Sequence, residues 1–148
     1  MEQETIRELL VREEKARKQV IAPRLSGIGL TPGQGHAGIL TQLLRGDHVT
    51  QRELADRCRL DTATMSRGID RLSELGFLTR ESNPAGRRSF LICLTDKGRE
   101  KAREAAGVFE WFEKMAAEEI PAQELAVFIR VLRQVCGHLE EYRDTQEQ

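Results

Sequence analysis

The sequence predicts a mainly α-helical fold with one small β-hairpin, and three observations predict it. Two helix-start signatures, Thr50 and Asp61, lie on either side of a short turn at Cys58-Arg59-Leu60. Apolar residues recur every three to four positions in the stretches around them, as in Met65, Ile69 and Leu72. Between Phe77 and Leu94 that period gives way to an apolar return strand, Phe90 to Leu94, preceded by Asn83-Pro84-Ala85-Gly86. Asn first, Pro second and Gly fourth suit a type I turn. Helix, turn, helix and hairpin in this order make a winged helix-turn-helix.

Each element can be justified in turn. A first helix is expected over about residues 4 to 21, with Ile6, Leu9, Leu10, Ala16 and Val20 on one side and Pro23 at or just beyond its end. Ser26-Gly27-Ile28-Gly29 reads as a loop. Thr31 and Pro32 fit the N-cap and first residue of a second helix that buries Ile39, Leu40, Leu43 and Leu44 and closes at Gly46. Thr50 and Glu53 have capping-box spacing, so a short helix should start there and bury Leu54, Ala55 and Cys58. Asp61 caps the next helix. Its apolar stripe is Met65, Ile69 and Leu72, and Gly76 ends it. Asp96 to about Glu119 forms a long helix with Ala102, Ala105, Val108, Phe109, Phe112, Met115 and Ala116 inward, broken by Ile120-Pro121. Ala122 to about Arg143 forms the last, with Leu125, Phe128, Ile129, Leu132, Val135, Cys136, Leu139 and Tyr142 in one stripe.

The face of the Asp61-capped helix opposite its apolar stripe carries Thr62, Thr64, Ser66, Arg67 and Arg71. Short hydroxyls and long cations are the groups that meet base edges and phosphates. Arg87 and Arg88 sit beside the hairpin tip, where a protruding basic finger suits the narrow, electronegative minor groove. Each feature also has a plain reading, a solvated helix face or solubilising loop charge. Their occurrence together favours DNA.

The residues Thr50-x-x-Glu53-Leu54-Ala55, Ala63-Thr64-Met65-Ser66-Arg67-x-Ile69-Asp70-Arg71-Leu72, Gly76-Phe77-Leu78, Asn83-Pro84 with Arg88, and Leu94-Thr95-x-Lys97-Gly98 resemble the MarR (multiple antibiotic resistance regulator) family of transcription factors. Leu30-Thr31-Pro32-Gly33-Gln34-Gly35 is similar to members of it as well. The resemblance implies a homodimer binding a pseudo-palindromic operator, most often as a repressor. It also implies a small-molecule effector bound between the dimer helices and the reading head. On this reading the chain is one domain: a winged core over about 31–99, a connecting helix over about 96–119, and dimerisation helices over about 1–30 and 120–148. Leu9, Leu125, Ile129, Leu132 and Leu139 would carry the dimer contact; the alternative is that these helices pack on their own domain. One departure is Gly86, where the family has an Asp that buttresses the wing-tip arginine, here Arg88.

Composition bounds the function. The net charge is −1, but residues 50–99 hold 10 Lys and Arg against 7 Asp and Glu, while residues 100–148 hold 6 against 11. The positive charge therefore lies on the reading head. No apolar run has membrane-spanning length and the charged N-terminus lacks a signal-peptide core, so a cytoplasmic protein is expected. Three cysteines without paired spacing argue against a disulfide framework, and their apolar settings favour buried thiols. The hydroperoxide-sensing members of the family use a first-helix Cys, and no Cys precedes Cys58.

Gly33-Gln34-Gly35-His36-Ala37-Gly38 matches a dinucleotide fingerprint, but no strand and βαβ unit surround it, so no cofactor is expected. His36, His48 and His138 form no metal-ligand spacing, so no metal is expected, and no nucleophile or acid–base pair is clustered, so no enzyme is expected. Trp111 reads as core, with an effector cavity as the sharper alternative. The competing function is a winged helix that docks a protein partner and binds no duplex.

Overall fold

The computed structural model describes residues 3–86 and 88–147. The chain divides into two compact units, Met1–Phe112 and Glu113–Gln148. Among the described residues no helix is long and apolar enough to cross a membrane.

The first unit begins with α1, Ile6–Gly27, behind a capping box of Thr5 and Glu8. It runs through Pro23 and includes Ser26 and Gly27, later than the sequence pattern suggested. A proline costs one helical hydrogen bond; here Leu25, two residues on, is buried and anchors the last turn in the core. The end comes at Gly29, with φ 85°, where Leu30 N–H reaches back to the Leu25 carbonyl at 2.9 Å. α2, His36–Arg45, starts four residues after Pro32. Gly33 and Gly35 take left-handed φ values of 78° and 77°, which turn the chain and override the Thr31-Pro32 start signal.

α3 spans Gln51–Cys58, so Cys58 belongs to the helix and not to the turn. The Thr50–Glu53 capping box is formed in both directions. Arg59, at φ 54°, terminates it, and Leu60 N–H bonds the Ala55 carbonyl. α4, Thr62–Glu74, is capped by Asp61. It ends at left-handed Gly76, with Gly76 N–H on the Ser73 carbonyl at 3.0 Å and Phe77 N–H on the Leu72 carbonyl at 2.9 Å. That bond pair is a Schellman motif.

The sheet has three antiparallel strands in the order β1 (Val49–Thr50), β3 (Phe90–Leu94), β2 (Leu78–Ser82). The sequence pattern showed only the hairpin. β1 adds two residues, Val49 opposite Ile92 and Thr50 opposite Leu91. The β2–β3 register places Leu78 opposite Leu94 and Ser82 opposite Phe90. Phe90 is 53% exposed, whereas Ile92 and Cys93 are buried.

The core gathers Ile39, Leu40 and Leu43 of α2, Leu54 of α3, Met65, Ile69 and Leu72 of α4, Phe77, Ile92 and the small face of α5 (Asp96–Ala116). Two glycines permit close approach. A Cβ on Gly68 would lie 2.7 Å from Ile39 Cδ1, and one on Gly98 would lie 1.8 Å from the Phe77 carbonyl oxygen.

α5 stops at Ala116, and Met115 and Ala116 are exposed, not inward. In the second unit α6 spans Ala122–Gln146 and contains no buried residue. Phe128, Ile129, Leu139 and Tyr142 stand exposed on it, and so does Cys136, contrary to the buried thiol expected there.

Candidate nucleic-acid interface

α4 presents its polar face because Met65, Ile69 and Leu72 are held at full burial on the other side. Thr62, Arg67 and Arg71 are exposed, while Thr64 and Ser66 are half-buried. The Asp61 carboxylate accepts from Thr64 N–H at 2.7 Å and from the Thr64 hydroxyl at 2.8 Å. Those bonds from Thr64 hold the Asp61 carboxyl below its usual range. Thr64 is thus committed to the cap, and its oxygen also accepts from Arg67 Nη2 at 3.4 Å. Arg71 reaches Glu74 at 3.2 Å. Both arginines keep their long stems on the exposed face, each partnered by a side chain of the same helix.

The wing is tied to this helix. Arg80 of β2 donates to Asp70 of α4 at 2.6 Å. At the tip, Gly86 N–H bonds the Asn83 carbonyl at 3.2 Å, the Asn83 side chain accepts from Ala85 N–H, and Asn83 Nδ2 donates to Ser89 Oγ at 2.9 Å. A Cβ at position 86 would come within 2.8 Å of Ser89 Oγ. The Asn83–Ser89 bond therefore occupies the space that a side chain at Gly86 would enter. Arg88 is exposed; Arg87 lies outside the described residues.

Two concavities flank the helix. A cleft of about 260 Å³ between the start of α3 and the wing is lined by Thr50, Gln51, Arg52, Arg80, Arg88, Ser89, Phe90 and Ile92. A groove of about 640 Å³ between α3 and α4 is lined by Gln51, Arg52, Ala55, Asp56, Leu60, Asp61, Thr62 and Met65. Gln51 and Arg52 border both; the cleft carries Arg52, Arg80 and Arg88, while the groove sets Asp56 and Asp61 beside Arg52.

The remaining candidates fall elsewhere. His36 is buried at the start of α2, and burial together with the Arg71 charge lowers its pKa. Burial raises the Cys58 thiol. Trp111 is half-buried beneath the Arg24 guanidinium, which stacks 3.4 Å from the ring centroid. The glycine-rich stretch around Gly33 follows a turn and not a strand.

Residues 28–89, which contain the helix-turn-helix and most of the wing, match the model of the MarR family. Over this segment the chain resembles the MarR family. The HTH-type transcriptional regulator YdgJ of Bacillus subtilis (strain 168) is 29% identical over 106 residues, covering 72% of this chain and 65% of YdgJ. The chain thus spans just under two thirds of that curated relative's length. A crystal structure of MarR superposes with a TM-score of 0.75 at 26% identity, covering 97% of each chain. A cysteine-to-serine mutant of Escherichia coli MarR complexed with operator DNA has the same fold, with a TM-score of 0.76 at 22% identity over 86% of this chain and 90% of that one.

Within this head, two basic residues escaped the sequence reading. Arg52 faces away from the apolar positions of a helix too short to show a stripe. Arg80 stands on β2, where an alternating pattern is blurred by Thr79, Arg80, Glu81 and Ser82 in succession.

Proposed function

We propose that the chain is a homodimeric transcriptional regulator that binds a pseudo-palindromic operator in double-stranded DNA and acts as a repressor. The observation that carries this reading is the exposed polar face of α4, with Thr62, Arg67 and Arg71, tied to a wing whose cleft carries Arg52, Arg80 and Arg88. On this reading α4 enters the major groove, with Arg67 and Thr62 at base edges and Thr64, Ser66 and Arg71 nearer the backbone. Arg88, with Arg87 beside it, follows the flanking minor groove. The E. coli MarR relative crystallised with operator DNA supports the choice of partner.

The dimer reading rests on uncovered apolar surface. Ile6 and Leu9 of α1 and Val127, Phe128, Ile129 and Leu139 of α6 are each at least 45% exposed. Leu125 and Leu132 are half-buried. A second copy of the chain covers these faces, with Leu9, Leu125, Ile129, Leu132 and Leu139 as contacts. Such a symmetric pair sets two recognition helices to read two half-sites.

On the same reading, a cavity in the first unit is the candidate effector site. A cavity of about 300 Å³ is lined by Arg17, Lys18, Ile21, Ala22, Leu25, Pro32, Gly33 and Phe109. Its apolar walls and two cations suit a small aromatic or aliphatic carboxylate, whose binding would release the operator. Arg17 and Lys18 now pair with Glu13 and Glu14, at 2.6 and 2.8 Å.

The test is a titration of the intact protein against duplex from its own promoter and against a scrambled duplex, at several salt concentrations. Preferential, salt-sensitive binding to the promoter is expected. Equal or salt-independent binding to both duplexes would remove the operator reading and favour a protein-docking module.

A further inference from the structure

At the root of the wing the fold assembles a set of donors that the linear sequence keeps apart. Asp47 and His48 precede β1, Cys93 lies on β3, and Glu81 lies on β2. Ligand atoms of Asp47, His48 and Cys93 all lie within 4.8 Å of one another. His48 Nδ1 is 3.1 Å from Asp47 Oδ1, and its Nε2 is 3.5 Å from Glu81 Oε2. Pairing of β1 with β3, extended by the bond from His48 N–H to the Ile92 carbonyl at 2.9 Å, brings the loop onto the wing strands.

We propose that Asp47, His48 and Cys93 form a binding site for a divalent transition-metal ion, with Zn²⁺ the best match and solvent as fourth ligand. The donor set is one thiol, one imidazole and one carboxylate, the mixed S, N and O ligation that zinc accepts in tetrahedral geometry. Donor atoms around a tetrahedral zinc stand about 3.3–3.6 Å apart, from metal–ligand bonds of about 2.0–2.3 Å. His48 Nδ1 and Asp47 Oδ1, 3.1 Å apart, are already close to this spacing. The three ligand atoms lie within 4.8 Å of one another, so the longest pair needs roughly 1 Å of closure, within reach of the His48 side chain, which is 57% exposed.

A further feature fits the assignment. The other Asp47 oxygen, Oδ2, is fixed by Leu94 N–H at 2.9 Å and by Arg99 at 3.5 Å, which leaves Oδ1 directed to the cluster. Outer bonds of this kind orient a metal ligand. On binding, the Cys93 S–H bond breaks, its electron pair becomes the S–Zn bond, and the proton leaves to solvent with no change in oxidation state. The ion would link the loop before β1 to strand β3 of the wing.

The experiment uses the intact protein after chelator treatment, titrated with Co²⁺ as spectroscopic probe and with Zn²⁺ against a competing chelator. One ion per chain and a thiolate-to-cobalt charge-transfer band are expected. The band should vanish in Cys93→Ser and persist in the Cys58→Ser, Cys136→Ser double variant. His48→Asn keeps a residue that tolerates the left-handed φ of 62° at an exposed position. It should weaken zinc by at least about ten-fold, the lower end of the loss seen when even an outer partner is removed. No band in wild type, a band that survives Cys93→Ser, or unchanged zinc affinity in His48→Asn would each overturn the site. If Cys93→Ser fails to fold, the exposed His48→Asn variant decides.

Discussion

Replacing Gly98 by Ala tests whether the contact between α5 and the root of the wing sets the position of the hairpin. On propensity alone the change should help, because Ala is favoured over Gly in a helix interior by about 0.5–1 kcal/mol. Sterics oppose it. The new Cβ would sit 1.8 Å from the Phe77 carbonyl oxygen and 2.7 Å from its carbonyl carbon. Both are backbone atoms, so no rotamer change relieves the overlap, and α5 must retreat from Phe77 toward an ordinary separation of roughly 3.5 Å. That retreat strains Thr95 N–H on the Phe77 carbonyl at 3.1 Å, the Thr95 hydroxyl on the Gly76 carbonyl at 2.6 Å, and Gly98 N–H on Thr95 Oγ1 at 2.9 Å. Overpacking typically costs about 1–3 kcal/mol, and each weakened hydrogen bond adds roughly 0.5–1.5 kcal/mol. The steric and hydrogen-bond terms outweigh the propensity gain, so Gly98→Ala should lose at least about 1.5 kcal/mol net. Gly107→Ala on the same helix is the control: a Cβ there meets nothing within 4 Å. It should gain up to about 1 kcal/mol. Urea unfolding followed by circular dichroism, at one protomer concentration for all variants, measures both. If Gly98→Ala were as stable as Gly107→Ala, the close approach of α5 to Phe77 would not exist and the reasoning would fail.

Leu132→Glu places a carboxylate in the α6 stripe and should give monomers or misfolded protein, since burying an unpaired charge costs several kcal/mol; light scattering reads the mass, and a monomeric wild type at micromolar concentration would contradict the dimer. His36 gives a pH dependence of definite sign. Burial and Arg71 lower its folded pKa below the 6.5 of the unfolded chain, so the unfolded state binds the extra proton between those two values. Stability from this group is complete above about 6.5 and declines as pH falls toward the folded value. His36→Gln should flatten that part of the urea-midpoint profile, and an unchanged profile would show that His36 does not carry it.

Much of this was legible because single residues fix local hydrogen bonds. The Thr50–Glu53 box, the Asp61 cap and the Gly76 terminus each depend on the chemistry of one or two side chains, and periodicity then fixed the buried face of α4. Signals that depend on a competing neighbour were harder. Thr31-Pro32 announces a helix start, yet Gly33 and Gly35 delay it to His36; Pro23 announces an end, yet Leu25 carries α1 past it. β1 is two residues long, below any detectable alternation, and the cluster of Asp47, His48 and Cys93 depends on its pairing with β3. Arg52 and Arg80 meet in one cleft only through the packing of α3 beside the wing. Periodicity marked α6 as amphipathic but not what covers it, so the apolar settings expected for Met115 and Cys136 are exposed in the single chain.

The most direct test of the central claim compares wild type and Arg67→Ala on promoter and scrambled duplex, across several salt concentrations. A base-reading arginine contributes about 1–3 kcal/mol of discrimination, whereas a phosphate contact weakens every sequence alike. Arg67→Ala should therefore lose most of its preference for the promoter and keep its non-specific binding. Arg88→Ala, measured beside it, should weaken both duplexes evenly and reduce the salt slope by about one for each phosphate left unneutralised. An Arg67→Ala variant that retains the wild-type ratio of promoter to scrambled affinity would contradict the placement of α4 in the major groove.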